Sequence, residues 1–120
     1  MEVEMVREAL NESAMNATLR GSYWRVSVFQ SVTSTQAELV AKENLRHGDV
    51  FVTEYQSAGR GRLDRTFEAA KSSALLFSIY LEPKRSKLEW SAIPLLAGVS
   101  LLNALNKLDE NFKANLKWPN

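Results

Sequence analysis

A chain of 120 residues with 45% apolar side chains and a formal net charge of +1 can bury the core of one domain, and carries no global field to draw it onto nucleic acid or anionic lipid. It has no cysteine, which excludes disulfides and thiolate chemistry, and its single histidine, His47, argues against a catalytic triad or a histidine-based metal site. No apolar run approaches the ~20 residues that span a bilayer, and the acidic start, with Glu2 and Glu4, lacks the regions of a secretory signal, so the expectation is a cytoplasmic protein with no DNA and no membrane partner.

Residues 2–19 repeat Val3, Val6, Leu10 and Ala14 at helical spacing, with acids early and Gly21 as a stop. They predict an amphipathic leading helix, residues 1–22, ahead of a main domain of residues 23–120. Tyr23–Gln30 sets Trp24, Val26 and Val28 against Tyr23, Arg25, Ser27 and Phe29, which is the alternation of a strand. A polar segment then leads into a helix carrying Ala37, Val40, Ala41 and Leu45 on one side. Thr35 and Glu38 have the spacing of a capping box, and Ser34-Thr35 reads as a helix start that also turns a hydroxyl and amides to a ligand. His47-Gly48-Asp49 is expected to close this helix, and Val50–Tyr55 to form the next strand.

Ser73–Leu81 is nearly continuously apolar, the pattern of a central strand covered on both faces. Ser86 or Ser91 is the expected cap of the following helix, with Pro94 in its first turn. From Ile93 to Leu108 that helix is apolar almost all round, which places it in the interior. Phe112, Ala114 and Leu116 alternate with lysines and asparagine as a last strand. The fold class is α+β, a mixed β-sheet backed by helices.

The chemistry concentrates in Glu54–Phe67. Gly59 and Gly61 let the backbone turn or approach a ligand, and Arg60, Arg62 and Arg65 supply planar cationic forks suited to carboxylates and phosphates. A dinucleotide fingerprint requires glycine where Asp64 stands, no Gly-Lys-Ser/Thr phosphate loop occurs, and no pair of carboxylates can be set across a cleft. What remains is electrostatic positioning. In an extended segment Arg60 and Arg62 project to one side, where they can neutralise a carboxylate attacking a phosphorus and the leaving pyrophosphate. Phe67 offers a face for an adenine. A solvated basic loop, or a non-catalytic module binding single-stranded nucleic acid through arginines and an aromatic, uses the same residues.

Ser34-Thr35-Gln36, then Glu54-Tyr55-Gln56-Ser57-Ala58-Gly59-Arg60-Gly61-Arg62 with Arg65, then Lys117-Trp118-Pro119-Asn120 resemble the three ordered signatures of biotin protein ligases. The resemblance runs from about Tyr23 to the end, and implies the biotinyl/lipoyl protein ligase catalytic domain, of class II synthetase-like fold, without a helix-turn-helix domain. It implies that biotin and ATP, with Mg2+, give biotinyl-5′-adenylate and pyrophosphate, and that a lysine of a biotin carboxyl carrier protein then attacks the mixed anhydride. By position, Ser34, Thr35, Gln36 and Gln56 would bind the ureido end of biotin, and Gly59, Arg60, Gly61 and Arg62 would close over biotin and its carboxyl. Arg62, Arg65 and Lys117 would face the phosphates, Phe67 the adenine, and Asn120 the adenylate; no protein metal ligand is implied. A lipoate ligase of the same fold is the nearest alternative.

Three positions depart from the family pattern. Gln36 stands for asparagine, Asp64 for glycine, and Phe67 for tryptophan, which keeps a smaller stacking face. The family motif continues with an aspartate after Asn120 and a lysine further on. The expectation is therefore the N-terminal part of a catalytic domain, truncated, with little ligase activity by itself.

Overall fold

The computed structural model describes residues 7–111 and 113–117, with the side chains of Arg62 and Phe67 outside what it describes. The chain forms two units, Met1–Glu82 and Pro83–Asn120.

In the first unit the helices are α1 (Glu12–Thr18) and α2 (Thr35–Ala41), and the strands are β1 (Arg25–Phe29), β2 (Asp49–Thr53), β3 (Gly59–Arg60), β4 (Thr66–Phe67) and β5 (Leu76–Ile79). Three of the strands make one sheet in the order β1-β2-β5, and β3 pairs with β4 separately. Parallel strands need a crossover, and α2 supplies it between β1 and β2, which align Val26 with Val50 and Val28 with Val52. β5 returns antiparallel, with Phe77 opposite Val52, so the sheet is mixed. The core is small: Val26, Val32, Leu39, Phe51, Val52 and Leu76 are the buried apolar residues, and Phe29 leans on Phe51 at 5.1 Å between ring centroids. Each such side chain contributes roughly 1.5–3 kcal/mol on burial.

The leading helix is shorter than its periodicity predicts. Val3 and Val6 lie outside the described residues, and Arg7–Leu10 is not helical; Asn11 caps α1 through its side-chain oxygen, which accepts from Ala14 N at 2.9 Å. From α1, the Asn16 amide accepts from Val26 N at 2.8 Å and donates to Val26 O at 2.9 Å, while Glu12 Oε1 accepts from Val28 N at 3.0 Å. Side chains thus occupy backbone groups of the β1 edge that would otherwise invite another strand.

Two further expectations change in this unit. α2 is capped by Ser34, whose Oγ accepts from Ala37 N at 2.9 Å, not by Thr35, and it ends at Ala41, not at Leu45. His47 is accordingly no helix terminus; its Nδ1 accepts from Glu82 N at 2.8 Å. β5 is not a central strand. It stands at the end of the sheet order among the described residues, with Phe77 42% and Ile79 38% exposed, because only its β2 side is paired.

In the second unit, a 3-10 segment, Lys87–Ala92, runs into α3 (Ile93–Leu108), with Pro94 in the first turn as expected. Neither Ser86 nor Ser91 caps by its side chain; Ala92 holds the N-cap position of α3 without a side-chain hydrogen bond. The interior placement of α3 is corrected: none of its residues is buried. Its apolar character runs round the helix, and within its own unit Leu116 presses on it at Gly98, where an added Cβ would come 2.8 Å from Leu116 Cδ1. Lys87–Leu108 together is long and apolar enough to cross a membrane by length and composition, with mean hydropathy 1.4. Its α-helical part, 16 residues, is only about 24 Å long, short of the ~30 Å hydrocarbon core. The expected last strand is absent: residues 113–117 are irregular, and Phe112 lies outside the described residues.

Candidate functional site

The parallel register of β1 and β2 continues past both strands and brings two distant stretches together. Val32 N donates to Tyr55 O at 3.1 Å, Ser57 N to Val32 O at 3.0 Å, and Ala58 N to Thr33 O at 2.8 Å. Thr33-Ser34-Thr35 and Gln56-Ser57-Ala58 are therefore locked side by side by main-chain bonds.

Thr35, only 3% exposed, forms the centre of the resulting network. Its N and Oγ1 both donate to Gln56 Oε1, at 2.8 and 3.1 Å, and its hydroxyl lies 2.7 Å from Ser78 Oγ. Gln56 thus spends its carbonyl on Thr35, and among the described residues nothing accepts from its Nε2. Ser34 Oγ accepts from the helix and retains its own O–H to donate.

These groups open into a cleft of about 940 Å3. Ser34, Thr35, Gln36 and Gln56 line it with polar groups, Ala37, Val40, Ala41, Leu75, Leu76 and Phe77 with apolar ones, and Arg60 with a cation. Val40, expected with Ala37, Ala41 and Leu45 on one side of this helix, is 77% exposed. Ala37, Val40 and Ala41 line the cleft, Leu45 falls beyond α2, and Leu39, not among the expected residues, is the apolar side chain of α2 that is buried. Ser78 was not singled out from the sequence, although a serine inside the apolar run Ser73–Leu81 was the available signal; Thr33, Ala58 and the apolar walls were missed with it.

The arginine stretch is a hairpin. Gly59 and Arg60 pair with Phe67 and Thr66, and Gly61 N donates to Arg65 O at 2.6 Å. Arg60 and Arg62 do not continue one extended alternation, because a 3-10 turn, Arg62–Asp64, begins directly after Gly61. Leu63 and Asp64 have φ of 56° and 59°, the left-handed region that favours glycine. Asp64, at the usual glycine position, is among the residues that tolerate this conformation, so the departure is accommodated. Gly59 is buried, whereas Gly61 and Arg65 are exposed and, like Gly59, do not line the cleft. The side chains of Arg62 and Phe67, and Trp118, Pro119 and Asn120 entirely, lie outside the described residues; Lys117 is exposed within the second unit.

Behind the hairpin base lies a buried charge. Glu54 is 2% exposed. Its carboxylate accepts from Leu10 N at 2.6 Å, from Arg7 Nη1 at 2.6 Å and from Ser72 Oγ at 2.8 Å. The Leu10 amide first, then Ser72 and the Arg7 guanidinium, hold its pKa below the ordinary carboxylate value despite burial. A second cavity, about 400 Å3, lies between Tyr55-Gln56-Ser57 and Glu68-Ala69-Ala70.

Residues 26–120 match the Biotin/lipoate A/B protein ligase family. The bifunctional ligase/repressor BirA of Salmonella typhimurium is 33% identical over 96 residues, 79% of this chain and 30% of its own length. The biotin–[acetyl-CoA-carboxylase] ligase of Mycobacterium tuberculosis is 29% identical over 126 residues, 98% of this chain and 47% of that one. Among solved structures, the biotin protein ligase of Aquifex aeolicus in complex with biotin and ATP aligns with a TM-score of 0.69 at 35% identity, over 79% of this chain and 39% of that one. The biotin acetyl coenzyme A carboxylase synthetase of Helicobacter pylori with bound biotinylated ATP gives 0.64 at 33% identity, over 79% and 46%. The chain spans between 30% and 47% of the length of these relatives.

Proposed function

Because the chain belongs to the biotin/lipoate A/B protein ligase family, we propose that it carries the acid-binding part of a site that joins biotin to ATP and passes the biotinyl group to a protein lysine. The observation that carries this reading is the chemistry gathered in one cleft. Polar groups of Ser34 and Gln56, apolar side chains of α2 and β5, and the cationic Arg60 all line it. A cyclic urea needs both donors and acceptors, a short alkyl chain needs apolar walls, and a carboxylate needs a cation. Biotin has all three. The Aquifex aeolicus relative, solved with biotin and ATP, supports the same assignment.

In the proposed reaction the carboxylate of biotin attacks the α-phosphorus of ATP, pyrophosphate leaves, and a lysine of a biotin carboxyl carrier protein displaces AMP from the adenylate. Thr35 holds Gln56 so that its Nε2 stays free for the ureido carbonyl, to which the Ser34 O–H also donates. Arg60 steadies the carboxylate; by their places in the family signatures, Arg62 and Arg65 are assigned to the phosphates, Phe67 to the adenine, and Lys117 and Asn120 to the nucleotide. Positioning and charge neutralisation supply the rate, with no protein nucleophile. Magnesium would be carried by the ATP phosphates and would supply charge neutralisation there; among the described residues no group of three or more His, Asp or Glu could hold an ion. A cytoplasmic setting supplies the ATP.

Lipoate is the competing acid, since the family includes lipoate ligases. A dithiolane ring uses none of the hydrogen-bonding groups of Gln56 and Ser34, which favours biotin. Titration calorimetry of the chain with biotin and with lipoate tests the choice. Biotin is expected to bind at least about tenfold more tightly, and Arg60→Ala to weaken it; tighter binding of lipoate overturns the biotin assignment.

A further inference from the structure

Arg7 precedes the family-matching region, residues 26–120, and no role in the reaction above uses it. Its contacts nonetheless converge on the two ends of one segment. Glu54 and Ser72 bracket residues 55–71, which contain Gln56 and the whole arginine hairpin. The brackets are joined directly: Ser72 N donates to Glu54 O at 3.0 Å and Ser72 Oγ to Glu54 Oε2 at 2.8 Å. Arg7 then spans the joint. Its Nη1 donates to Glu54 Oε2 at 2.6 Å, its Nε to Ala74 O at 3.0 Å, and its backbone N to Ser72 O at 2.8 Å. Leu10 N adds a fourth bond from the same segment, to Glu54 Oε1 at 2.6 Å.

The local backbone explains the need for a clasp. Ser72 has φ of 58°, a left-handed conformation that a serine does not hold without outside contacts. The Glu54 carboxylate is buried and needs a cation. One residue answers both demands, the Arg7 main-chain N–H at Ser72 O and its guanidinium at Glu54 and Ala74 O, even though its Nη2 is left buried without a partner among the described residues.

We propose that Arg7 is a positioning residue: by clasping Glu54, Ser72 and Ala74 it closes the base of residues 55–71, and so sets where Gln56 and the arginine hairpin stand for the ligand. The consequence for ligand binding rests on the assignment of this segment to biotin and ATP; the clasp itself does not.

The test is amide hydrogen exchange and biotin calorimetry on the 120-residue chain, comparing the parent with Arg7→Met and with the double variant Arg7→Met/Glu54→Gln. Arg7→Met leaves an unpaired buried carboxylate; the double variant removes that charge and keeps the sheet folded if the single one unfolds. In the folded variants the amides of residues 57–67 are expected to exchange about tenfold faster or more, with those of β2 unchanged. Biotin affinity is expected to fall roughly tenfold, and not to return in the double variant. A merely stabilising arginine raises exchange in β2 and the hairpin together and regains affinity once the charge is removed. Unchanged hairpin exchange in the double variant overturns the clasp. A looser hairpin with parental affinity overturns its link to the ligand. If the parent binds neither biotin nor ATP, the functional assignment fails, while exchange still decides the clasp.

Discussion

Glu54 is ionised at 2% exposure because an amide, a hydroxyl and a guanidinium meet its two oxygens, and the pH dependence follows from that. Its folded pKa lies below the ordinary value of 4.5, held down by Leu10 N first and opposed by burial. A depressed carboxylate contributes stability that is complete above its unfolded pKa and lost as pH falls through the folded one. Glu54→Gln is therefore expected to destabilise the chain by about 1–3 kcal/mol at pH 7. That gap should begin to close as pH drops below about 4.5 and vanish once the wild-type carboxylate is protonated. Asp49, also depressed by the Arg46 amide and Arg25 against the pull of burial, is present in both proteins and cancels from the difference. Urea unfolding of the two proteins at pH 7, 5 and 3 checks this, and a constant gap sinks it. At this scale the sequence made Ser34, Thr35 and Gln56 legible through their spacing in known signatures. It could not show that Gln56 leans on Thr35, or that Ser78, 43 residues from Thr35, joins them. Such pairings are made by the sheet, which no local pattern contains. Glu54 was legible only as one more acid near the arginines, because its partners lie in the leader and at Ser72.

Elements were legible where periodicity decided them, and misread where neighbours did. The alternation of β1 was visible as a period of two, and β2 as an apolar run, because Phe51, Val52 and Thr53 are buried in succession, on both faces of the strand. The apolar side of α2 was visible as Ala37, Val40 and Ala41, but that it lines the cleft while Leu39 enters the core depends on where the other elements lie. The run Ser73–Leu81 carries the composition of a covered strand, and composition does not say how many neighbours a strand finds. Gly48 shows how narrowly the elements are joined. Its N donates to Tyr80 O at 2.9 Å and its O accepts from Arg25 N at 3.0 Å, so it knits the entry of β2 to both flanking strands. It has φ of 94°, and a Cβ there would collide with the backbone oxygen of Tyr23. Gly48→Ala thus meets unfavourable backbone and a contact that cannot give. A loss of about 2 kcal/mol or more is expected, against under 1 kcal/mol for an alanine in compatible backbone. Gly21→Ala is the control: φ is 88°, but nothing stands within 4 Å of its Cβ position, so only the backbone strain is felt and its loss should be the smaller. Thermal unfolding of both variants decides it, and equal losses would mean that the Tyr23 contact costs nothing.

At the scale of the whole molecule, burial is unevenly shared. Among the described residues every buried apolar one, Val26, Val32, Leu39, Phe51, Val52 and Leu76, lies in the first unit, as do the buried Thr35, Thr53 and Glu54. α3 is the longest helix described and buries none of its residues. The sequence suggested the opposite, because an all-round apolar helix is ordinarily interior; that inference supposes chain enough to surround it. Helix propensity does not replace packing, since isolated helices of this length are marginal in water. Its N-cap adds nothing, for Ala92 makes no side-chain hydrogen bond there. In the 120-residue chain, α3 should therefore open far more often than the sheet that frames the cleft. Amide hydrogen exchange read by mass spectrometry is expected to show Leu95–Leu108 exchanging at least about a hundredfold faster than Val50–Thr53, whose bonds open only with the first unit. Ligand makes the comparison sharper. On the proposed assignment, biotin should slow exchange in Val32–Ala41 and Gln56–Arg60 by contact. Equal protection of α3 and β2 in the free chain would show that apolar surface on α3 is covered in solution, and would overturn the division of stability drawn from the buried residues.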